Sequence, residues 1–395
     1  MHDLPTVIEL LLVAFGVALV TKWTGRPYTI ALVIGGLVLG LLQLIAPIPL
    51  SKELVLAVFL PPLLFEGALH IRASILRQRA GLILGLALGG TLLTALIVGA
   101  AAHLLLGFDL LSGLLLGVIV APTDPVSVLA TFRAAQVDEE LATVVESESL
   151  FNDGIAVVLY VILLGALEGA ALDPLSGAGD FALVVGGGTA LGLGLGYLTS
   201  RLLERLDDHL IETMLTVVVA FGAFLLAERL HLSGVIAVAV AGLTVGNRGL
   251  LRTSTASRTR ITLFWEIVAF LVHSIVFLLI GFELRPDRLV HTLVSAGIIV
   301  VVLLAARALI VYGLSALIHW RQRNLPLNWR HVIFWGGLRG SVPVALALGL
   351  PLSLTGRDEL VALIFGVVLL SLLIQGLTIP TLIQRLGLAQ AAKPT

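Results

Sequence analysis

The sequence contains no cysteine and few charged or aromatic residues. Of its 395 residues, 12% are charged and 6% are aromatic. A chain without cysteine cannot form disulfides, thiolate zinc sites or a thiol nucleophile. Soluble globular proteins carry about 25% charged residues, so this composition excludes a surface that is mostly solvated by water. The balance of 24 basic against 25 acidic residues gives no indication of nucleic-acid binding.

Hydrophobic residues, in contrast, make up 58% of the chain, and the mean hydropathy is +1.08. About 20 apolar residues form one membrane-spanning helix, and the hydropathy predicts thirteen such segments. They lie near residues 5–21, 28–46, 53–70, 80–104, 110–132, 141–167, 181–200, 210–229, 232–246, 262–284, 290–318, 331–351 and 359–386. We therefore expect an all-α polytopic membrane protein with 13 transmembrane helices, forming a single membrane unit over residues 1–395.

Basic residues are distributed unevenly between the predicted loops. If the N-terminus lies outside, most of the 24 lysines and arginines fall in cytoplasmic loops, as the positive-inside rule requires. Adding or removing one helix would place every later loop on the opposite side of the membrane, and this bias would be lost. The sequence therefore predicts an integral multi-pass protein of a cell (inner) membrane, with its N-terminus outside and its C-terminus in the cytoplasm.

Two predicted helices contain helix-breaking residues deep inside apolar sequence. Segment five contains Pro122 and Pro125, and segment twelve contains Gly336–Gly340 followed by Pro343. Proline removes a helical hydrogen bond and glycine permits non-helical backbone, so both helices are expected to be discontinuous. Paired interruptions of this kind are typical of secondary-transporter sites. Ordinary kinked helices in a large bundle are the alternative interpretation.

The spacing of the two breaks predicts an internal symmetry. Segment twelve follows segment five by seven segments, and an odd offset places the two in opposite membrane orientations. We therefore expect inverted repeats formed by helices 1–6 and 8–13, with the discontinuous helices 5 and 12 crossing each other.

Ionisable residues inside the predicted spans are the candidate functional residues, because each costs about 2.5–3.5 kcal/mol at mid-membrane. Those near the breaks are Asp124, Glu148, Asp153, Arg307 and Arg339. The ends of broken helices carry partial charges of about half a unit, and Asp124 can compensate the positive ends and Arg339 the negative ends. Solvation by a cavity is the alternative for both. Glu9 and Glu66 also lie within spans and are interpreted as structural or interfacial.

Helical geometry separates the roles of the residues in segment six. Ser149 and Asp153 are four residues apart and share a helix face. Glu148 and Asp153 are five apart, which places them about 140° apart around the axis. Glu148 therefore needs its own counter-charge, and we hypothesise a buried ion pair with Arg307 that orients the site.

Asp153 is the candidate ion-binding carboxylate. It lies in an oxygen-rich setting, close to Thr123, Asp124, Ser149 and Asn152. Hard cations prefer oxygen ligands, and a carboxylate can hold either a proton or a cation. Competition of the two ions for Asp153 would produce exchange. A hydrogen-bonded residue that packs helices together is the alternative role for Asp153.

Four strings carry a resemblance to a known family. They are Pro61-Pro62-Leu63-Leu64-Phe65-Glu66, Ala121-Pro122-Thr123-Asp124-Pro125, Glu148-Ser149-Leu150-Phe151-Asn152-Asp153-Gly154 and Gly336-Gly337-Leu338-Arg339-Gly340. They resemble the monovalent cation:proton antiporters, specifically the NhaP-like branch of the sodium/proton exchangers. The resemblance implies a homodimer. It also implies a core, ion-translocating domain from roughly 80–167 and 290–386, and a dimerisation domain from roughly 5–70 and 181–284.

The resemblance also implies roles for particular residues. Asp153 would be the carboxylate shared by Na+ and H+, and Na+ would bind at Asp153, Ser149 and Thr123. The cation site as a whole would comprise Thr123, Asp124, Glu148, Ser149, Asn152 and Asp153, and charge compensation would involve Glu148, Arg307, Arg339 and Asp124. On helical geometry, Glu148 ranks below Asp153, Ser149 and Thr123 as a direct ligand. Asn152 stands where the electrogenic relatives have a second aspartate, which implies electroneutral exchange.

The sequence thus predicts an electroneutral sodium(lithium)/proton antiporter that works by alternating access. We expect no enzymatic activity, no cofactor and no nucleic-acid partner; the expected partners are monovalent cations, protons, the lipid bilayer and a second copy of the chain. A K+/H+ antiporter of the same mechanism is the alternative. A cation channel would need a filter of the TVGYG type or charged rings, and a transporter of organic solutes would need a site lined with aromatics. Neither feature is evident in the sequence.

Overall fold

The computed structural model describes residues 3–24, 28–42, 54–169, 174–283, 286–318 and 325–389. Within these residues the regular secondary structure is helical, without a strand. The predicted all-α fold is therefore confirmed. Where the thirteen predicted segments fall on described residues, each coincides with one helix or with consecutive helices.

The helices of the first half of the chain include both long spans and short pieces. They are α1 (Asp3–Thr24), α2 (Tyr28–Leu42), α3 (Leu60–His70), α4 (Ala73–Gln78), α5 (Ala80–Leu84), α6 (Gly90–Leu106), α7 (Leu110–Val120), α8 (Val126–Ala135), α9 (Glu139–Leu167) and α10 (Pro174–Leu203). The second half contains α11 (His209–Arg229), α12 (Gly234–Thr244), α13 (Thr255–Glu283), α14 (Pro286–Ile318), α15 (Leu327–Trp335), α16 (Ser341–Leu348), α17 (Arg357–Ser371) and α18 (Leu377–Arg385).

Short π-helical turns extend or join several of these helices. They span Leu54–Phe59, Gly85–Gly89, Val245–Gly249 and Leu372–Gly376. A π-helical turn inside an apolar helix does not change the hydropathy, so these turns could not be expected from the sequence. The last of them joins α17 to α18 within predicted segment thirteen.

Seven helical stretches of the described residues are long and apolar enough to cross a membrane. They are Ala80–Leu106, Glu139–Leu167, Gly177–Leu203, His209–Arg229, Thr255–Phe282, Thr292–Leu314 and Arg357–Arg385. Shorter apolar helices, among them α7 and α8, correspond to other predicted segments. The chain is thus a multi-pass membrane protein, and the count of thirteen crossings and the inverted symmetry stay predictions.

Both predicted interruptions are present in the structure. In segment five, α7 ends at Val120 and α8 begins at Val126. In segment twelve, α15 ends at Trp335 and α16 begins at Ser341. Proline in the first break and glycine in the second leave the backbone without its helical hydrogen bonds, so other groups must satisfy these polar atoms.

Small residues allow the helices to approach one another closely. A Cβ atom on Gly36 of α2 would overlap the carbonyl oxygen of Leu278, and one on Gly281 of α13 would overlap that of Val33. Lipid provides no hydrophobic drive for helix association, so close van der Waals packing at small residues holds membrane helices together. The same packing by glycine joins α6 to α7, where Gly117 lies against Ala95.

Candidate functional site

The two breaks lie in direct contact and satisfy each other's polar groups. The backbone N–H of Asp124 donates to the carbonyl oxygen of Leu338 at 2.7 Å. In the opposite direction, Nε of Arg339 donates to the carbonyl oxygen of Val120 at 2.9 Å. Backbone groups that lost their helical partners in one break thus find partners in the other, as buried polar groups require.

The two charged residues of the breaks lie at helix ends of the appropriate sign. Oδ1 of Asp124 accepts a hydrogen bond from the N–H of Val126, the first residue of α8, at 3.0 Å. The same carboxylate lies against Gly340, which directly precedes α16, since a Cβ there would overlap it. The Arg339 guanidinium instead reaches the carbonyl of Val120, where α7 ends. Helix dipoles favour an anion at an N-terminus and a cation at a C-terminus.

Side chains of α9 hold the unwound backbone of segment five. The hydroxyl of Ser149 donates to the carbonyl oxygen of Thr123. Nδ2 of Asn152 donates to Oγ1 of Thr123 at 2.9 Å, and the N–H of Thr123 donates to Oδ1 of Asn152 at 3.4 Å. All three residues are buried. The amide of Asn152 is therefore occupied by Thr123.

Asp153 lies beside this bonded group and lines a cavity of about 1060 Å³. Thr123, Asp124 and Ser149 line the same cavity. Among the described residues, the carboxylate of Asp153 has no hydrogen-bonding or ion-pairing partner, although its neighbours on α9 do. Residues with hydroxyl and carboxylate side chains thus line the cavity that Asp153 faces.

The ion pair hypothesised between Glu148 and Arg307 is present in the structure. Nη2 of Arg307 donates to Oε2 of Glu148 at 2.9 Å, and Nη1 contacts Oε1. Glu148 is 1% exposed and Arg307 is 7% exposed. Nη2 of Arg307 also donates to the carbonyl oxygen of Ile333 at 3.0 Å, so the pair ties α9 and α14 to α15.

The structure therefore groups the predicted site residues into two sets. Thr123, Asp124, Ser149 and Asp153 line the cavity, with Asn152 bonded to Thr123 behind them. The remaining predicted residues, Glu148, Arg307 and Arg339, are not among the residues that line it. The position of Glu148 agrees with the helical geometry that placed it away from the face of Asp153. No group of three His, Asp or Glu suited to a metal ion occurs among the described residues.

Some residues of the cavity were missed or interpreted differently from the sequence. Glu66 was interpreted as structural or interfacial, but it lines the cavity together with Glu146. Nδ1 of His70 lies 3.4 Å from Oε1 of Glu66, and Nε2 of His70 lies 3.8 Å from Oε1 of Glu266. Glu146 and Asp153 are seven residues apart, which places them on one face of α9. That spacing is the sequence signal that could have identified Glu146.

A family model described as "Sodium/hydrogen exchanger, transmembrane" matches residues 10–385. Among curated proteins, the chain is 40% identical over 385 residues to the Na(+)/H(+) antiporter NhaS2 of Synechocystis sp., covering 97% of this chain and 70% of that protein. It is 38% identical over 403 residues to the Na(+)/H(+) antiporter NhaH of Halobacillus dabanensis, covering 98% of this chain and 99% of that protein.

A solved structure has the same fold. The sodium proton antiporter MjNhaP1 from Methanocaldococcus jannaschii at pH 8 superposes with a TM-score of 0.80 at 24% sequence identity. The match covers 99% of this chain and 100% of that chain. The helical arrangement described above is therefore one that a solved membrane protein also adopts.

Proposed function

This chain belongs to the sodium/hydrogen exchanger family, and we propose that it exchanges Na+ or Li+ for H+ electroneutrally across a cell membrane. Family membership confirms the resemblance to NhaP-like antiporters drawn from the motifs. The chain is accordingly a transporter rather than an enzyme. Its cargo is a monovalent cation and a proton, and both compete for Asp153.

The observation that carries the proposal is the position of the Asp153 carboxylate. It lies on the cavity beside oxygens of Thr123 and Ser149 and has no partner among the described residues. A hard cation takes oxygen ligands such as these. Because a single carboxylate is neutralised by a proton or by a monovalent cation, binding of one ion releases the other.

The neighbours of Asp153 support electroneutral exchange. Asn152 is neutral, and its amide is bonded to Thr123. The Asp124 carboxylate already accepts the N–H of Val126 at the start of α8, and we propose that it is not the group that exchanges ions. One carboxylate then changes its ligand in each half-cycle, so one Na+ crosses for each H+ and no net charge moves.

Alternating access would arise from movement of a core domain (80–167 and 290–386) against a dimerisation domain (5–70 and 181–284) in a homodimer. Packing supports this division, because α6 packs on α7 and α14, whereas α13 packs on α2 and α3. The cavity is lined from both sides, by Thr29 and Glu66 of the second domain and by Ser127 and Ser149 of the first. Relative movement of the two domains would therefore change access to Asp153.

Reconstitution into proteoliposomes tests the proposal. We expect a Na+ or Li+ gradient to drive proton flux, at a rate unaffected when the membrane voltage is clamped to different values. Asp153→Asn should abolish the flux. The matched control is Asp109→Asn. Asp109 is an exposed residue that caps α7 by accepting the N–H of Ser112, and the variant should retain the flux. Voltage-dependent exchange would contradict electroneutrality, and proton flux in Asp153→Asn would contradict the role of Asp153. Repeating the measurement with Na+, Li+ and K+ gradients would show which of these cations the protein exchanges.

A further inference from the structure

Two buried polar side chains lie in the last apolar segment, away from the ion site. Ser371, at the end of α17, is 2% exposed, and Gln375, in the π-helical turn Leu372–Gly376, is 3% exposed. Neither lines the cavity. A polar group buried inside a membrane protein is costly unless it is hydrogen-bonded, so the partners of these two residues indicate what they do.

Their partners are the two ends of the break in segment twelve. Nε2 of Gln375 donates to the carbonyl oxygen of Trp335, the last residue of α15, at 2.9 Å. At the other end of the break, the N–H of Arg339 donates to the hydroxyl oxygen of Ser371 at 3.1 Å. The Ser371 hydroxyl in turn donates to Oε1 of Gln375 at 2.7 Å. We call these two side chains the break clamp.

The bonds of the break clamp form one directed chain. The Ser371 oxygen accepts from Arg339 while its hydrogen is donated, and the Gln375 amide accepts at its oxygen and donates at its nitrogen. A hydroxyl and an amide can each act as donor and acceptor at once. Removing either side chain therefore leaves buried backbone or amide groups without partners, and the break loses its link to segment thirteen.

The π-helical turn is also seated tightly on the break. A Cβ atom on Gly376 would lie 3.2 Å from Cδ2 of Leu338 and 3.1 Å from Cδ1 of Ile30. The turn that carries Gln375 thus packs closely against Leu338, the residue whose carbonyl oxygen accepts the N–H of Asp124. Any shift of the break would move this acceptor.

A continuous set of bonds leads from the clamp to the ion site. Arg339, whose N–H is held by Ser371, donates from its side chain to the carbonyl of Val120, and Leu338 bonds to Asp124. These two contacts fix both sides of the break in segment five. Between them lies Thr123, whose oxygens face Ser149 and Asn152. The clamp is therefore linked by hydrogen bonds, through both breaks, to Thr123, although it does not itself line the cavity.

We propose that Ser371 and Gln375 are positioning residues that set the cation affinity of the exchanger. They hold the break of segment twelve in register with that of segment five, so that the oxygens around Asp153 are preorganised for the ion. This inference rests on the proposed function for the identity of the ion. Preorganisation lowers the cost of binding, so loss of the clamp weakens cation binding more than it slows the movement of the domains.

The experiment compares Ser371→Ala with Ser371→Thr, which keeps the hydroxyl, in proteoliposomes. We expect Ser371→Ala to raise the apparent KM for Na+ roughly tenfold, the magnitude that corresponds to one lost buried hydrogen bond, while kcat changes by less than about twofold. Ser371→Thr should restore most of the affinity. Gln375→Met, which has no donor for the carbonyl oxygen of Trp335, should raise KM as Ser371→Ala does.

The matched control is Thr378→Val. Oγ1 of Thr378 accepts from the indole of Trp335 at 2.7 Å, so this change removes a bond to the same residue but not to the backbone of the break. A KM for Ser371→Ala equal to that of the wild type, or an equal rise in Thr378→Val, would overturn the proposal. So would a lower thermal stability with an unchanged KM, because that result assigns the clamp to stability alone.

Cation affinity is also measured by the Na+ concentration that stabilises the purified protein against heat, which requires no transport. Ser371→Ala should need roughly tenfold more Na+ for the same stabilisation. If the wild type neither exchanges nor responds to Na+, the proposed function itself has failed. If the wild type does both and the clamp variants match it, the positioning role alone has failed.

Discussion

At the residue scale, three carboxylates near the breaks have three different environments. Asp124 accepts the N–H of Val126, and Glu148 is paired with Arg307. Asp153 lines the cavity without such a partner among the described residues. The first two are engaged by groups of the protein itself, whereas Asp153 faces the cavity, where we propose that it binds the exchanged ion. The surroundings of each carboxylate, rather than its chemistry, separate its role from those of the others.

The Glu148–Arg307 pair should be strongly coupled. Arg307→Ala leaves the Glu148 carboxylate buried without a counter-charge, which costs about 3–5 kcal/mol. Glu148→Gln/Arg307→Ala removes that charge as well, so we expect the double variant to be more stable than the sum of the single losses. Thermal unfolding of the purified single and double variants measures this coupling. Strictly additive losses would contradict the pairing.

Some of these contacts are predictable from the sequence and others are not, for physical reasons. The Glu148–Arg307 pair was predictable because two opposite charges in apolar segments each needed a partner. The bond from Arg339 to Val120 was not, since it joins residues 219 positions apart through backbone atoms that every residue carries. Glu66 was predicted to be structural or interfacial because nothing in its segment indicates that α3 faces the cavity.

At the element scale, the two interrupted helices function as one unit. Proline and glycine act locally, so each interruption was predictable from its own segment. Their mutual contact depends on tertiary packing, in which Asp124 meets Leu338 and Gly340. The π-helical turn that carries Gln375 was likewise outside the reach of the hydropathy pattern. However, a serine and a glutamine within an apolar run are themselves a signal that could have indicated buried hydrogen bonds.

Gly340 should be intolerant of any side chain. In Gly340→Ala, the new Cβ would overlap the carboxylate of Asp124, and overpacking of this kind costs about 1–3 kcal/mol. We expect lower thermal stability and Na+/H+ exchange reduced by roughly tenfold or more, because Asp124 is displaced from the start of α8.

Gly297→Ala is the matched control, because no heavy atom lies within 4 Å of a Cβ at that position. Its exchange rate and melting temperature should resemble those of the wild type. Folded Gly340→Ala protein with a wild-type exchange rate would show that close contact of the breaks is unnecessary for transport.

At the scale of the whole molecule, specific contacts join the two proposed domains. Oγ1 of Thr29 on α2 and Oγ of Ser127 on α8 are 2.7 Å apart. Gly376, in segment thirteen, lies against Ile30 of α2. If the core moves against the dimerisation domain, these contacts must break in each cycle.

A cross-link between positions 29 and 127 tests the relative movement of the two domains. Because the sequence contains no cysteine, the introduced pair has no competing thiol. The two hydroxyls are close enough for Thr29→Cys/Ser127→Cys to form a disulfide upon oxidation. We expect oxidation of this double variant to stop exchange and reduction to restore it. Neither single variant should respond to the oxidant. Full exchange by cross-linked protein would contradict relative movement of the two domains.

The central claim is that one carboxylate, Asp153, binds Na+ and H+ in turn. The most direct test is calorimetric titration of the purified protein with Na+ in buffers of different ionisation enthalpy, which counts the protons released per ion bound. We predict one proton per Na+ when the titration begins from the protonated protein, and neither binding nor release in Asp153→Asn. Sodium binding that releases no proton at every pH tested would contradict the account. So would unchanged proton release in Asp153→Asn.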